Sequence, residues 1–519
     1  MRESLRQSMA LVHTWTGLVL GWLLFAMFAT GTSAYFQDEI TRWMQPEITG
    51  SADPVASAQG AARYLERNAA GAGYWYMTLP NGRSATTQLF WQPADGSGYR
   101  EAVVDEQGRE VTVRETRGGY FLYRFHFDLH YLPVIWARYL VGIAAMLMLV
   151  AIISGVITHK KILADFFMLR FGKGQRSWLD AHNVSAVLAL PFHAMITFTG
   201  LVTLASMYMP WGVLANYAAP TTFQEAVFGT SHDGVAAGKP ASLPELAPLM
   251  HRASAAWGGR EVGIVRVTNP GDAAATIELT RASKDALGSR GEVLVFDVQG
   301  RQIGGSPAPG PSVRTESVMI GLHAGRFAQL GLRWLYFLSG IAGTIMVGSG
   351  LVLWTVKRRQ RLPDPEHPHF GFRLVERLNV AAIAGLGAGI AAYFLANRLL
   401  PTGLAARADW EVHTMFLVWL GVLLWAVVRP PRRAWIEGLW LAAAFFGAVP
   451  VVNALTTSRG FPVDVLHGDW LFVGFDLVMA ALAFAFGTAA LKLTRRWSAS
   501  AQAEAAPRRK TARGKAVEA

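Results

Sequence analysis

Apolar residues run along this chain in long unbroken blocks. Eight of them, roughly 10–35, 132–157, 183–209, 329–355, 376–400, 411–428, 435–456 and 468–492, approach or exceed the 20 or so apolar residues that a helix needs to cross a bilayer. The pattern predicts a polytopic α-helical membrane protein of about eight spans. Two polar inserts break it with a different rhythm. The first opens with a helical stretch, "ASAQGAARYLERNAA", and continues into the strand-like "ATTQLFW" and "YREAVV". The second opens with "ASLPELAPLMHRASAAW" and continues as "GIVRVTN", "ATIELT" and "GEVLVFD". Each reads as a small α+β module, with a Gln-Gly-Arg turn near its end in "VVDEQGREV" and "VFDVQGRQI".

The expected organisation is a first span in 1–36, a module in 37–125, and spans two and three with a basic loop in 126–209. A second module in 210–322, span four in 323–357 and a linker in 358–375 follow. Four further spans in 376–495 lead to a basic tail, 496–519, expected to be unfolded. The first apolar run, from Met9 to Phe36, is too long for the core of a cleaved signal and reads as a retained span.

Charge changes the picture by its placement. The net charge is +12, a value that would suit a nucleic-acid binder. The Lys/Arg-rich segments "HKKILADFFMLRFGKGQR", "KRRQRLPDPEHPHFGFR", "RPPRR" and "RRKTARGK", however, all fall on one side of the membrane together with the amino terminus. The positive-inside rule makes that side cytoplasmic, leaving both inserts outside. The charge is therefore a topology signal, and no nucleic-acid partner is implied. Cysteine is absent, which excludes disulfides, thiolate catalysis, thiolate-held iron–sulfur clusters and cysteine-attached haem. There is no dinucleotide-binding glycine motif in a cytoplasmic segment, no P-loop and no H-E-x-x-H.

Candidate chemistry comes from a repeat. His13 to Gly31 and His182 to Gly200 both span 18 residues, and Arg138 to Gly155 and Arg333 to Gly350 both span 17. The order span–module–span thus occurs twice, as in an internal duplication. His13 and His182 become mates near the cytoplasmic ends of spans one and three. His130 in "DLH" and His323 in "GLH" become mates just outside spans two and four. Two mated pairs facing each other across a bundle suit bis-imidazole ligation of two haems, one near each face. His193 and His159 lack mates, because Leu24 and Trp354 stand at the corresponding positions. Either could replace a ligand, line a proton path or satisfy a local bond. His126, one turn before His130, is placed to contact a propionate. Arg138 and Arg333 either pair with propionates or snorkel to the interface.

The stretches "HTWTGLVLGWLLFAMFATG", "LHYLPVIWARYLVGIAAMLMLVAIISG", "WLDAHNVSAVLALPFHAMITFTG" and "LHAGRFAQLGLRWLYFLSGIAGTIMVGSGLVLW" resemble the PepSY-associated transmembrane family, and the inserts resemble its PepSY modules. The resemblance covers about residues 5–360. It implies a bacterial inner-membrane ferric-siderophore reductase with b-type haem, delivering electrons to a ferric chelate in the periplasm. His13, His130, His182 and His323 are the histidines that match. With no nicotinamide or flavin domain, the electron donor is external, a quinol or a cytoplasmic reductase. The competing expectations are a transporter or permease accessory protein, and a regulator whose modules bind a periplasmic partner.

Overall fold

The computed structural model of the chain describes residues 4–505 except 94, 96, 160, 161, 163–167, 229–233, 285, 307 and 308. The end of the basic tail lies outside them. The chain forms two compact units, Met1–Phe372 with Leu400–Asp409, and Arg373–Leu399 with Trp410–Ala519.

Among the described residues, six helices are long and apolar enough to cross a membrane: Val134–Thr158, Leu330–Arg359, Phe370–Leu399, Arg407–Val428, Pro431–Thr456 and Trp470–Ser498. The count rises to eight when two bent pairs are each taken as one span. The blocks at 10–35 and 183–209 are these pairs. Leu5–Val19 meets Gly21–Ala34 at 65°, and Gln175–Leu188 meets Leu190–Thr203 at 68°. In the second pair Pro191 sits in the first turn of the new helix, the position a residue without an amide tolerates. In the first pair the break falls at Leu20, just before Gly21, where a Cβ would come within 2.6 Å of Leu351. The chain is a multi-pass membrane protein.

The two inserts build one sheet. The first contributes helix Pro54–Asn68 and strands β1 (Tyr74–Thr78), β2 (Thr87–Gln92) and β3 (Arg100–Val104). The second contributes helix Leu246–Ala256 and strands β4 (Val262–Thr268), β5 (Thr276–Arg281), β6 (Val293–Asp297) and β7 (Gln302–Gly305). All seven strands are antiparallel neighbours in the order β3-β2-β1-β4-β5-β6-β7. The seam is β1 against β4, running from Tyr74 opposite Thr268 to Thr78 opposite Ile264. Inward residues of both inserts, including Trp75, Met77, Val265 and Ile277, share one core with Leu65 and Leu249 of the two helices. Burying each such side chain contributes about 1.5–3 kcal/mol, so the core joins the inserts as firmly as the ladder does. Two modules read from the sequence are thus one folded layer.

Both Gln-Gly-Arg turns form in the same way. Gly108 and Gly300 take left-handed φ values of 74° and 72°. Asp105 Oδ1 accepts the amides of Gln107 and Arg109, and Asp297 Oδ1 those of Gln299 and Arg301. Arg109 and Arg301 each close the turn with a 2.8 Å ion pair to the aspartate.

The second unit is tied by polar groups deep among its helices. Asn397 Nδ2 donates to Glu411 Oε1 at 2.7 Å, and Arg398 Nε to Asn453 Oδ1 at 2.8 Å. Trp419 Nε1 donates to the Ala381 carbonyl at the start of a π-helical turn, Ala381–Gly385, where the usual helical bonding is displaced.

The turn aspartates generate a pH prediction. Burial works to raise both carboxyl pKa values. The amide and guanidinium bonds from Arg109 and Arg301 outweigh it and hold both below the ordinary 3.8. A depressed folded pKa means the stabilisation is complete above the unfolded value and is lost as pH falls through the folded one. Hydrogen exchange at the Arg109 and Arg301 amides should therefore lose protection only below about pH 4. Asp105→Ala and Asp297→Ala should each loosen their own turn at neutral pH by about 1–3 kcal/mol.

Candidate haem-binding site

Four imidazoles are held by one repeated device. The Nδ1–H of His13 donates to the Ala151 carbonyl at 2.8 Å, and that of His182 to Met346 at 2.7 Å. His126 donates to Met27 at 2.7 Å and His323 to Ile196 at 3.0 Å. A carbonyl only accepts, so Nδ1 carries the proton in each ring and Nε2 keeps its lone pair. That is the tautomer a metal-binding histidine needs, with a backbone carbonyl orienting the ring.

Each ring also rests against a glycine. A Cβ on Gly155 would sit 3.1 Å from the His13 ring, and one on Gly350 3.1 Å from that of His182. At Gly31 it would come within 2.7 Å of His126, and at Gly200 within 2.8 Å of His323. These are the four glycines whose spacing marked the repeat. The carbonyls repeat too: Met27 and Ile196 are 169 residues apart, as are His13 and His182, while Ala151 and Met346 share the 195-residue separation of Gly155 and Gly350.

The rings meet in two pairs. His13 and His182 have centroids 6.0 Å apart, and His126 and His323 6.2 Å. A metal–nitrogen bond of about 2.0 Å on each side of one iron sets opposed imidazole centroids about 6 Å apart. Edge-to-face ring contacts cover the same range, so distance alone does not decide. The oriented Nε2 atoms and the glycine seats are two further features compatible with a metal held between the rings. No group of three or more His, Asp or Glu side chains suited to a bare metal ion occurs among the described residues. The donor set fits haem iron held by two neutral imidazoles.

Hydroxyls around the pairs bond back to their own helices. Thr30 and Thr199 donate to the Ala26 and Met195 carbonyls at 2.7 Å, and Ser154 and Ser185 to Val150 and Ala181 at 2.7 Å. Thr199 Oγ1 also lies 3.3 Å from His323 Nδ1. Spacing alone could not single out these hydroxyls; the glycines were visible in the spacing, but their task was not.

One expected ligand is displaced. The structure brings His126, not His130, to His323. Helix Gly118–Asp128 carries His126 on its last turn, and the chain then leaves through two left-handed residues, Leu129 at φ 53° and His130 at φ 49°. The His130 ring is swung out against Phe121, 5.5 Å away, and Tyr131, 4.4 Å away. There it lines an open pocket of about 460 Å³ with Phe121, Arg124, Phe125, Asp128 and Tyr131. His126 precedes Arg138 by 12 residues and His130 by 8, whereas His323 precedes Arg333 by 10. Both candidates miss the register by two, so counting could not choose between them.

The remaining candidates lie elsewhere. Arg138 pairs with Asp128 at 2.8 Å and Arg333 with Glu39 at 2.7 Å, so carboxylates of the chain occupy both guanidiniums. His193 is fully buried beside Phe28, its Nε2 3.4 Å from the Ser339 carbonyl, and joins neither pair. His159 Nε2 lies 3.1 Å from Asn183 Nδ2. His413 and His467 belong to the second unit.

Residues 10–357 match the PepSY-associated TM region, which is well over half of the chain. The chain belongs to this family. Every residue of the PepSY-associated TM match lies in the first unit, as do both histidine pairs. The chain is also similar to the uncharacterized protein PA4219 of Pseudomonas aeruginosa, with 25% identity over 320 residues, covering 58% of this chain and 78% of that protein.

The tautomers can be read directly. Nitrogen NMR of histidine-labelled protein should show His13, His182, His126 and His323 protonated at Nδ1. Signals for these four that show protonated Nε2 instead would remove the ligand assignment.

Proposed function

We propose that this chain is a haem b oxidoreductase of the bacterial inner membrane that passes electrons to a ferric chelate, such as a ferric siderophore, on the sheet side. We infer further that residues 1–357 are two copies of one span–module–span unit. The observation that carries the reading is the fourfold device of carbonyl, glycine and imidazole, grouped into two facing pairs. Equal bends at Leu20 and Ala189, also 169 residues apart, support the duplication.

Two haem irons, one at each pair, would supply one-electron chemistry between an external donor and the chelate. The chain's own part is positional. Helices Gly118–Asp128 and Pro311–Ala324 hold His126 and His323 where the sheet joins the spans, and the long helices Val134–Thr158 and Leu330–Arg359 seat His13 and His182 near their far ends. The positive-inside rule applied to the basic segments supports a cytoplasmic far side and a periplasmic sheet. A charged chelate would pay many kcal/mol to enter the bilayer, so reduction belongs at the sheet-side pair. The His130 pocket is lined by Phe125, the residue next to His126.

Purified protein should show a dithionite-reduced b-type spectrum. His126→Ala or His323→Ala should remove roughly half of it and abolish reoxidation of pre-reduced protein by a ferric siderophore. His130→Ala should keep the full spectrum. A colourless folded protein prepared with haem available would refute the cofactor. Rates of reoxidation that ignore every ferric chelate would refute the substrate and leave the cofactor standing.

A further inference from the structure

Resting on the haem reading above, we propose that Trp354 and Arg358, with His159, form a carboxylate-binding site that anchors the propionates of the haem held by His13 and His182. The placement comes from helix geometry. Trp354 follows Gly350, the seat of His182, by four residues, and His159 follows Gly155, the seat of His13, by four. Residues four apart lie one above the other on one helix face. Both side chains therefore sit about one turn, 5.4 Å, beyond the imidazole pair on the side away from the sheet. They occupy corresponding positions in the two halves, 195 residues apart, one under each ligand.

The chemistry is that of donors. The Trp354 indole N–H is buried and has no hydrogen-bond partner, a state that costs free energy unless a bound group accepts from it. Arg358 stacks on the same indole, its guanidinium carbon 4.0 Å from the ring centroid. The same guanidinium carbon lies 5.8 Å from the Trp15 ring centroid. Among the described residues no carboxylate bridges to Arg358, and its charged neighbour is another cation, Arg361. This contrasts with Arg138 and Arg333, whose carboxylate partners come from the chain. His159 receives the Asn183 amide on Nε2, so its proton is on Nδ1 and it too is a donor. Two ring N–H groups and an uncompensated guanidinium offer no acceptor. They suit anionic oxygens and would serve a quinol, which must lose protons, poorly. A haem seated between His13 and His182 carries two carboxylates at one edge, and the two ring N–H donors beyond the pair stand at corresponding positions with the Arg358 guanidinium beside one of them.

The test is a potentiometric titration of the full-length haem-loaded protein, followed optically. The transition that His13→Ala removes identifies the haem in question, and the other serves as an internal reference. Arg358→Gln and Trp354→Phe should each shift the first transition to lower potential, because a positive charge or a donor facing the propionates has gone. The reference transition should not move. Arg358→Lys, which keeps the charge, should retain most of the wild-type potential and covers the case in which Arg358→Gln fails to fold. Unchanged potentials in Trp354→Phe and Arg358→Gln would overturn the proposal while leaving the haem reading intact. Unchanged potentials combined with lost reduction by a ubiquinol analogue would also overturn it, reassigning the donors to a quinol head group. A wild-type protein without haem would overturn both.

Discussion

A helix carbonyl that already accepts its own amide has one lone pair to spare, and the first unit depends on spending four of these on imidazoles. The bond from Nδ1 fixes which nitrogen carries the proton and where the other points. It works only if the ring lies flat against the helix that supplies the carbonyl. That demand explains the glycines: Gly31, Gly155, Gly200 and Gly350 each stand four residues after their carbonyl, on the same face, and leave the space a Cβ would fill. Carbonyl, glycine and histidine form one unit, and changing any of the three disturbs the others.

From this the rest of the arrangement follows. The carbonyls of Ala151 and Met346 lie on long straight helices, so the His13/His182 pair is fixed by backbone that has little freedom. The carbonyls of Met27 and Ile196 lie beyond the bends, on Gly21–Ala34 and Leu190–Thr203. Each bend therefore lies between the part of a span that carries a far-side histidine and the part that receives a sheet-side one.

Much of this was legible in the sequence. Apolar blocks gave the spans, because a bilayer imposes a length that composition reveals. The matched 18- and 17-residue separations picked out His13, His182 and all four glycines, and the paired "DLH" and "GLH" added His323. The fourth, His126, was passed over for His130 because two left-handed residues turn the chain between them, and a backbone reversal has no spacing signature. The single sheet was equally invisible: each insert has the alternation of a small module, and nothing in it says that β1 will pair with a strand almost 190 residues later. Arg138 and Arg333 read from the sequence as propionate partners or as interfacial anchors. Their partners, Asp128 and Glu39, lie on neighbouring helices whose approach is a tertiary fact.

The seam between β1 and β4 has a mechanical meaning. Transporters built from repeats work by rocking one repeat against the other. Here the two inserts are stitched by a backbone ladder and a common core, so such a hinge would be clamped. A clamped hinge would suit the proposed electron transfer between fixed centres better than it would suit carrying a solute. It also bears on how such a chain could be divided. A half protein would end its sheet at a bare, flat strand, Tyr74–Thr78 or Val262–Thr268, with its ladder groups open to any passing edge.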